Sequence, residues 1–189
     1  MRGFLNQLYK FAEILAMAAL CLIAGMVFAQ VAGRVFDGAL GLFGQSPYGF
    51  LIPSLAEIAG FLLVAASFLA LAGSMRAGEQ IRVTLALGRL PARSRLIVEI
   101  AVLAIAVLLT GYFFFYAVQF VLQSHRYNEV SYGIIPIPLF IPQAAMAAGI
   151  GIFTVSLLDD LICAVSGGET SYGKADAEKS ANVHGAGEL

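Results

Sequence analysis

Residues 57–84 read EIAGFLLVAASFLALAGSMRAGEQIRVT, an apolar run that changes abruptly into a basic, amphipathic segment. The part from Ile58 to Met75 holds no ionisable residue, and with its flanks it approaches the ~20 residues that cross a bilayer core. We therefore predict a transmembrane helix. An arginine excess marks the cytoplasmic side of a membrane protein, and five arginines crowd the connection that follows: Arg76, Arg82, Arg89, Arg93 and Arg95.

The composition of the whole chain indicates an integral membrane protein. Hydrophobic residues make up 60% of the 189 residues and charged residues only 12%, whereas a soluble domain has about 25% charged residues. The mean hydropathy is +0.86. The charges are segregated by loop, so nothing favours nucleic-acid binding. Cys21 and Cys163 form no C-x-x-C pair and no Cys/His cluster, and we expect no disulfide, metal or other cofactor.

Four apolar segments predict four transmembrane helices within a membrane domain of residues 1–166. We expect the spans at about 12–34, 54–75, 97–122 and 138–162. For the first span a cleaved secretory signal is the alternative, because residues 27–29 (VFA) offer small side chains where a peptidase would cut. The fourth span begins in a proline-marked stretch, and Pro142 falls in its first turns, where a helix tolerates proline.

Residues 78–95, between the second and third spans, predict an amphipathic helix lying in the headgroup plane. Its apolar residues recur among arginines, so one side would meet the acyl chains and the other would meet anionic lipid. An ordinary solvated loop is the alternative. Residues 167–189 are small, polar and mixed in charge, and this composition predicts a disordered cytoplasmic tail.

The distribution of Lys and Arg predicts that both termini are cytoplasmic. In that arrangement the outer loops hold only Arg34 and Arg126, and the other nine of the eleven Lys and Arg residues are inside. The predicted fold class is an all-α integral membrane protein with four transmembrane helices. It is N-in and C-in, with an interfacial helix between helices 2 and 3.

The predicted spans lack ionisable side chains in their cores. Residues 14–29, 58–75, 100–122 and 139–158 contain no Asp, Glu, Lys, Arg or His. Pumps, proton relays and ion-coupled carriers place such groups at mid-membrane despite their cost, so a carrier role for this chain alone is unsupported. No nucleophile has a base in the same layer and no acid pair shares a span, so we predict that the chain is not an enzyme.

The order of these features resembles the small membrane subunit (Q, DctQ-like) of tripartite ATP-independent periplasmic (TRAP) transporters. The resemblance covers roughly residues 8–161. It is carried by Glu57 at the start of the second span, by Arg76 with residues 78–84 (GEQIRVT), and by residues 135–142 (IPIPLFIP) before the fourth.

The chain departs from the family pattern at several positions. Family members often have Trp before the acid, Gly-His-Ile-x-Val-Asp after the arginine, and Trp at the start of the last helix. This chain has no Trp, and Gln80, Thr84 and Phe140 stand where the His, the Asp and the second Trp would be.

The resemblance implies a division of labour in a bacterial inner membrane. A periplasmic binding protein captures an organic acid, a large membrane subunit (M, DctM-like) carries it by a sodium-coupled elevator movement, and the small subunit is a fixed scaffold. The expected partners are the large subunit, the binding protein and membrane lipids. The solute stays open among C4-dicarboxylates, sialic acid, 2-oxo acids and related organic acids.

Three groups of candidate residues follow from the resemblance and the topology. Positions of the family motif, or of the interface with the large subunit, are Glu57, Arg76, Gly78, Gln80, Pro138 and Pro142. The candidate lipid anchors are Arg76, Arg82 and Arg89. The candidate contacts with the binding protein are Tyr48, His125 and Arg126.

Several candidates also have a plainer interpretation. Glu57 either pairs with a partner residue or a cation, or it is favoured by the helix dipole, by ~0.3–1 kcal/mol. Arg76 either binds a lipid phosphate or the partner, or it simply anchors the topology. His125 and Arg126 either contact the binding protein or lie in a solvated loop.

Two other functions are compatible with this sequence. A self-sufficient small transporter, such as a four-helix exporter working as a dimer, predicts an acid in the middle of the first span, whereas Glu13 lies at its edge. A non-transport anchor subunit of a membrane complex also needs helices without charges. Neighbouring genes for a large many-span subunit and a secreted binding protein would favour the transporter.

Overall fold

The computed structural model describes residues 2–76 and 91–166, and the regular structure in these ranges is helical. It comprises four helices, α1 (Arg2–Leu42), α2 (Leu55–Arg76), α3 (Ala92–Arg126) and α4 (Phe140–Val165). Each of them is long and apolar enough to cross a membrane. Within the described residues this confirms the predicted all-helical fold with four helices long and apolar enough to span a membrane, while the orientation and the interfacial helix stay predictions.

The helices extend beyond the predicted spans at several ends. α1 continues past Arg34 to Leu42, because the glycines after Arg34 lower helix propensity without breaking the helix. α3 begins directly after Pro91, whose backbone is extended, so residues 92–95 of the predicted interfacial helix belong to α3. The rest of that segment and the predicted tail at 167–189 lie outside the described residues.

Each helix packs mainly on the next in the spatial order α1, α2, α4, α3. The carboxylate of Glu13 in α1 lies against Gly73 near the end of α2, so these two helices are antiparallel. We call the end of the bundle where α2 begins the Glu57 end, and the opposite end, where α2 finishes, the Arg76 end. Both connections between helices that the structure describes lie at the Glu57 end.

Small residues allow neighbouring helices to approach closely at several of their contacts. α1 packs on α2 through Ala16, Ala19 and Ala66. α4 approaches α2 so closely that a methyl group on Gly149 would lie 2.5 Å from the carbonyl carbon of Phe68. Close backbone approach of this kind stabilises helix pairs in lipid. α4 is accordingly the most enclosed helix, because 44% of its apolar stretch is buried, compared with 6% of the apolar stretch of α3.

The acids near the end of α4 lie inside the helix. Asp159 and Asp160 are followed by helical residues as far as Val165, so both lie inside the predicted span of residues 138–162 and beyond its uncharged core, residues 139–158. Asp160 is fully buried. On the same face of α4, Leu157 and other apolar residues pack against Met75 of α2, which places this carboxylate near the Arg76 end.

Candidate functional site

The connection between α1 and α2 folds back on the last turns of α1. Asp37 accepts hydrogen bonds from the backbone N–H groups of Tyr48, at 2.7 Å, and Gly49, at 3.0 Å. Phe50 packs on Gly33, where a methyl group would lie 2.8 Å from the Phe50 ring. One carboxylate and one glycine therefore fix the position of this connection at the Glu57 end.

Asp37→Ala is expected to release this connection. The substitution removes both acceptors and lowers the free energy of unfolding by about 1–2 kcal/mol. Hydrogen bonds to a charged group contribute more than neutral ones, and exposure to solvent reduces that contribution here. Limited proteolysis within residues 43–52 should become several times faster. Asp37→Asn keeps one acceptor oxygen and should show a smaller increase. Equal cleavage rates in Asp37→Ala and the unmodified chain would contradict this role.

The connection between α3 and α4 is a hydrogen-bonded hairpin, residues 127–139. Ser124, which is fully buried, donates a short hydrogen bond from Oγ to the Oε2 atom of Glu129. The backbone N–H of Ser131 donates to the carbonyl of Ile137 at 2.8 Å, and the N–H of Leu139 donates to the carbonyl of Glu129 at 3.0 Å. These bonds give the hairpin a defined shape above the start of α4.

This hairpin docks on the first turn of α2. The N–H of Ile135 donates to the Oγ of Ser54 at 3.2 Å, and the Glu57 carboxylate lies against Gly133. Glu57 is half-buried, and its Oε2 atom is shielded from solvent with no hydrogen-bond partner among the described residues. A negative charge is favoured at this helix N-terminus, and the carboxylate has spare capacity to accept a hydrogen bond.

The structure places most of the predicted site residues at the Glu57 end. Tyr48 is 84% exposed. His125 and Arg126 are the last two residues of α3, and the His125 ring stands edge-on to Phe140 with centroids 5.1 Å apart. Pro138 lies in the hairpin, where it forms an isolated antiparallel β-bridge with Val130. Pro142 is buried in the first turn of α4, where the sequence placed it.

The remaining predicted residues are Arg76 and residues that follow it in the sequence. Arg76 is the last residue of α2; its side chain lies outside the described part of the chain, as do Gly78, Gln80, Arg82 and Arg89. Their assignment to lipid anchoring or to the family motif therefore stays a prediction. Arg76 is not brought together with Glu57, because α2 separates the two residues by most of its length.

Sequence reasoning did not identify the residues that organise the Glu57 end. Asp37 and Ser54 accept hydrogen bonds from backbone N–H groups of residues that are distant in the sequence. Ser124, near the end of α3, donates to Glu129 of the hairpin. Loop geometry defines these contacts, so no periodic pattern marks them. Within residues 2–76 and 91–166, no group of three or more His, Cys, Asp or Glu residues is placed to hold a metal ion.

Comparison with known proteins gives one family. Residues 23–167 match the family described as tripartite ATP-independent periplasmic transporters, DctQ component. No curated protein matches the chain at a significant level. The matched range runs from the middle of α1 to the end of α4 and includes both connections at the Glu57 end. Since the match spans well over half of the sequence, the chain belongs to the DctQ family, the small membrane subunits of TRAP transporters, which is not an enzyme family.

Proposed function

We propose that the chain is the scaffold subunit of a sodium-coupled secondary transporter in the bacterial inner membrane. In this proposal a periplasmic binding protein delivers an organic acid, and a large elevator-type membrane subunit carries it. Membership of the DctQ family supports a place in such a three-part system. The solute is chosen by the other two components.

The packing of the four helices is the observation that carries the scaffold role. Alanine and glycine bring α1, α2 and α4 close together, and two cavities beside α3, of about 320 and 370 Å³, lie on the surface of the bundle. The core segments of the spans carry no ionisable group. A carrier needs a solute site that opens in turn to each side, whereas a scaffold needs fixed helices.

The positive-inside rule supports an orientation with the Glu57 end in the periplasm. Both described connections would then face the binding protein, with Tyr48, His125 and Arg126 among the exposed residues. The arginine-rich segment after α2 would meet the cytoplasmic headgroups. Glu57 would have its carboxylate near the periplasmic surface, where a partner residue or a cation can reach it.

The proposal predicts that purification of this chain from its native membranes in mild detergent brings one large polytopic protein with it in a fixed ratio. Two transmembrane proteins that work as one unit must bury a permanent interface, so the pair should stay together through size-exclusion chromatography. Mass spectrometry identifies the partner. Recovery of the chain alone, as a homo-oligomer that transports solute in vesicles, would contradict the scaffold role.

A further inference from the structure

One exposed face of α3 carries polar side chains at helical spacing. Its members are separated by four, three, four and three residues, so they share one side of the helix. All of them are exposed. They lie opposite the buried side of α3, which includes Ser124 and packs on α4 through Leu103 and Ala117. We call this surface the polar face of α3: Tyr112, Tyr116, Gln119, Gln123 and Arg126.

Contacts between helices show how deep this face lies in the membrane. Phe68 of α2 touches Gly149 of α4. Two residues further along α4, Gly151 touches Phe114 of α3, so Phe68 and Phe114 lie at about the same depth in the bundle. Phe68 lies about 16 Å along α2 from Glu57 and about 12 Å from Arg76. Because these two residues bound the uncharged part of α2, the level of Phe114 is near the middle of the bilayer.

Most of the polar face therefore lies at hydrocarbon depth. Along the axis of α3, Tyr112 and Tyr116 lie about 3 Å to either side of Phe114. Gln119 and Gln123 lie about 8 and 14 Å from Phe114 towards the Glu57 end. Half of a bilayer core is about 15 Å. Tyrosine normally occupies the membrane–water interface, so exposed phenols at the middle of a span are out of place in lipid.

The other half of the same side of α3 is apolar. Towards the Arg76 end it presents Val98, Ile105 and Leu108, of which Leu108 is 73% exposed. A face that met only acyl chains would be apolar along the whole span. The change of character at Tyr112 therefore indicates that two different environments cover the two halves.

Acyl chains do not satisfy the polar groups on this face. The rings of Tyr112 and Tyr116 lie 4.7 Å apart, so one hydroxyl can accept from the other, but the second hydroxyl proton still needs an acceptor. Gln119 brings two more donors and an acceptor. Polar groups left without partners in hydrocarbon cost several kcal/mol each, by order of magnitude. The 370 Å³ cavity beside Tyr116 and Gln119 extends to Met146 of α4 and makes the surface concave.

We propose that the polar face of α3 is where a transmembrane helix of the large subunit binds, through hydrogen-bonding side chains of its own. This assignment rests on the proposed function, which supplies a permanent partner within the membrane. The occupant must present acceptors at mid-membrane for the tyrosines and the glutamine. A lipid does not meet these requirements along the whole face.

A photo-crosslinking amino acid at position 116 tests the assignment in the native complex. Irradiation of membranes should join the chain to the large subunit. The same probe at position 28 is the control, because Phe28 is 75% exposed on α1, which is separated from α3 by α2 and α4 in the packing order, and it should give no such product. Crosslinks to the large subunit from position 28 and not from 116 would overturn the inference, as would a crosslink from 116 to a second copy of this chain.

The triple variant Tyr112→Phe, Tyr116→Phe, Gln119→Leu gives an independent measurement. Each interhelical hydrogen bond in a membrane contributes about threefold in affinity, so recovery of the large subunit should fall by about tenfold or more. The paired control Ile105→Leu, Leu108→Ile changes the apolar half and should leave recovery unchanged. Both variants should keep the thermal stability of the isolated chain, because all five side chains point outward.

The two proposals fail in different ways. If the unmodified chain recovers the large subunit and the triple variant recovers just as much, the location on α3 is wrong and the scaffold role stands. If the unmodified chain recovers no large subunit, the scaffold role fails, and the assignment of this face fails with it.

Discussion

Gly149→Val is expected to force α2 and α4 apart and to lower the free energy of unfolding by about 2–4 kcal/mol. A methyl group at this position would lie 2.5 Å from the carbonyl carbon and 2.6 Å from the carbonyl oxygen of Phe68. Both are backbone atoms, so no change of rotamer relieves the clash. α4 packs on both α2 and α3, and its displacement disturbs contacts on two sides.

Gly60→Val is the matched control for this substitution. Gly60 lies in α2 and has open space where a Cβ would stand, so valine there changes helix propensity without creating a clash. Thermal unfolding of both variants in the same detergent, followed by circular dichroism, gives the comparison. Gly149→Val should unfold at a clearly lower temperature than Gly60→Val. Equal unfolding temperatures would mean that the α2–α4 contact does not hold the bundle together.

Run length and composition were enough to predict the four spanning helices. An uninterrupted apolar stretch near 20 residues leaves few alternatives, and Pro142 had to stand in a first turn because proline disrupts a helix interior. The spatial order of the helices was not predictable in the same way. α2 is apolar around its whole circumference, so its sequence does not say which side meets α1 and which meets α4. Gly149 marks that contact, but small residues are frequent in membrane helices.

The candidate site was predicted only in part, because its contacts join distant residues. Glu57 was identified as a motif residue, yet the hairpin that covers it is held by a bond between Ser54 and Ile135, which are 81 positions apart. A short sequence pattern does not report such a contact. The spacing of Tyr112, Tyr116 and Gln119 is visible in the sequence, but its meaning depends on knowing that α4 covers the opposite side of α3.

The largest functional effect is expected when the chain is left out of the transporter. A subunit that moves a solute site across the membrane needs a fixed surface to move against, and the packed bundle of this chain would supply that surface. Vesicles that contain the large subunit without this chain should show solute uptake at background level. Gly149→Val should lie between background and full activity, because it weakens the bundle without removing it.

Uptake of labelled organic acid into vesicles, driven by an inward sodium gradient, is therefore the decisive measurement. It compares three preparations, each with the binding protein outside: the large subunit alone, this chain alone, and the two together. We predict uptake above background only for the two together. Uptake by vesicles that contain this chain alone would contradict the scaffold role and show that the chain itself carries the solute.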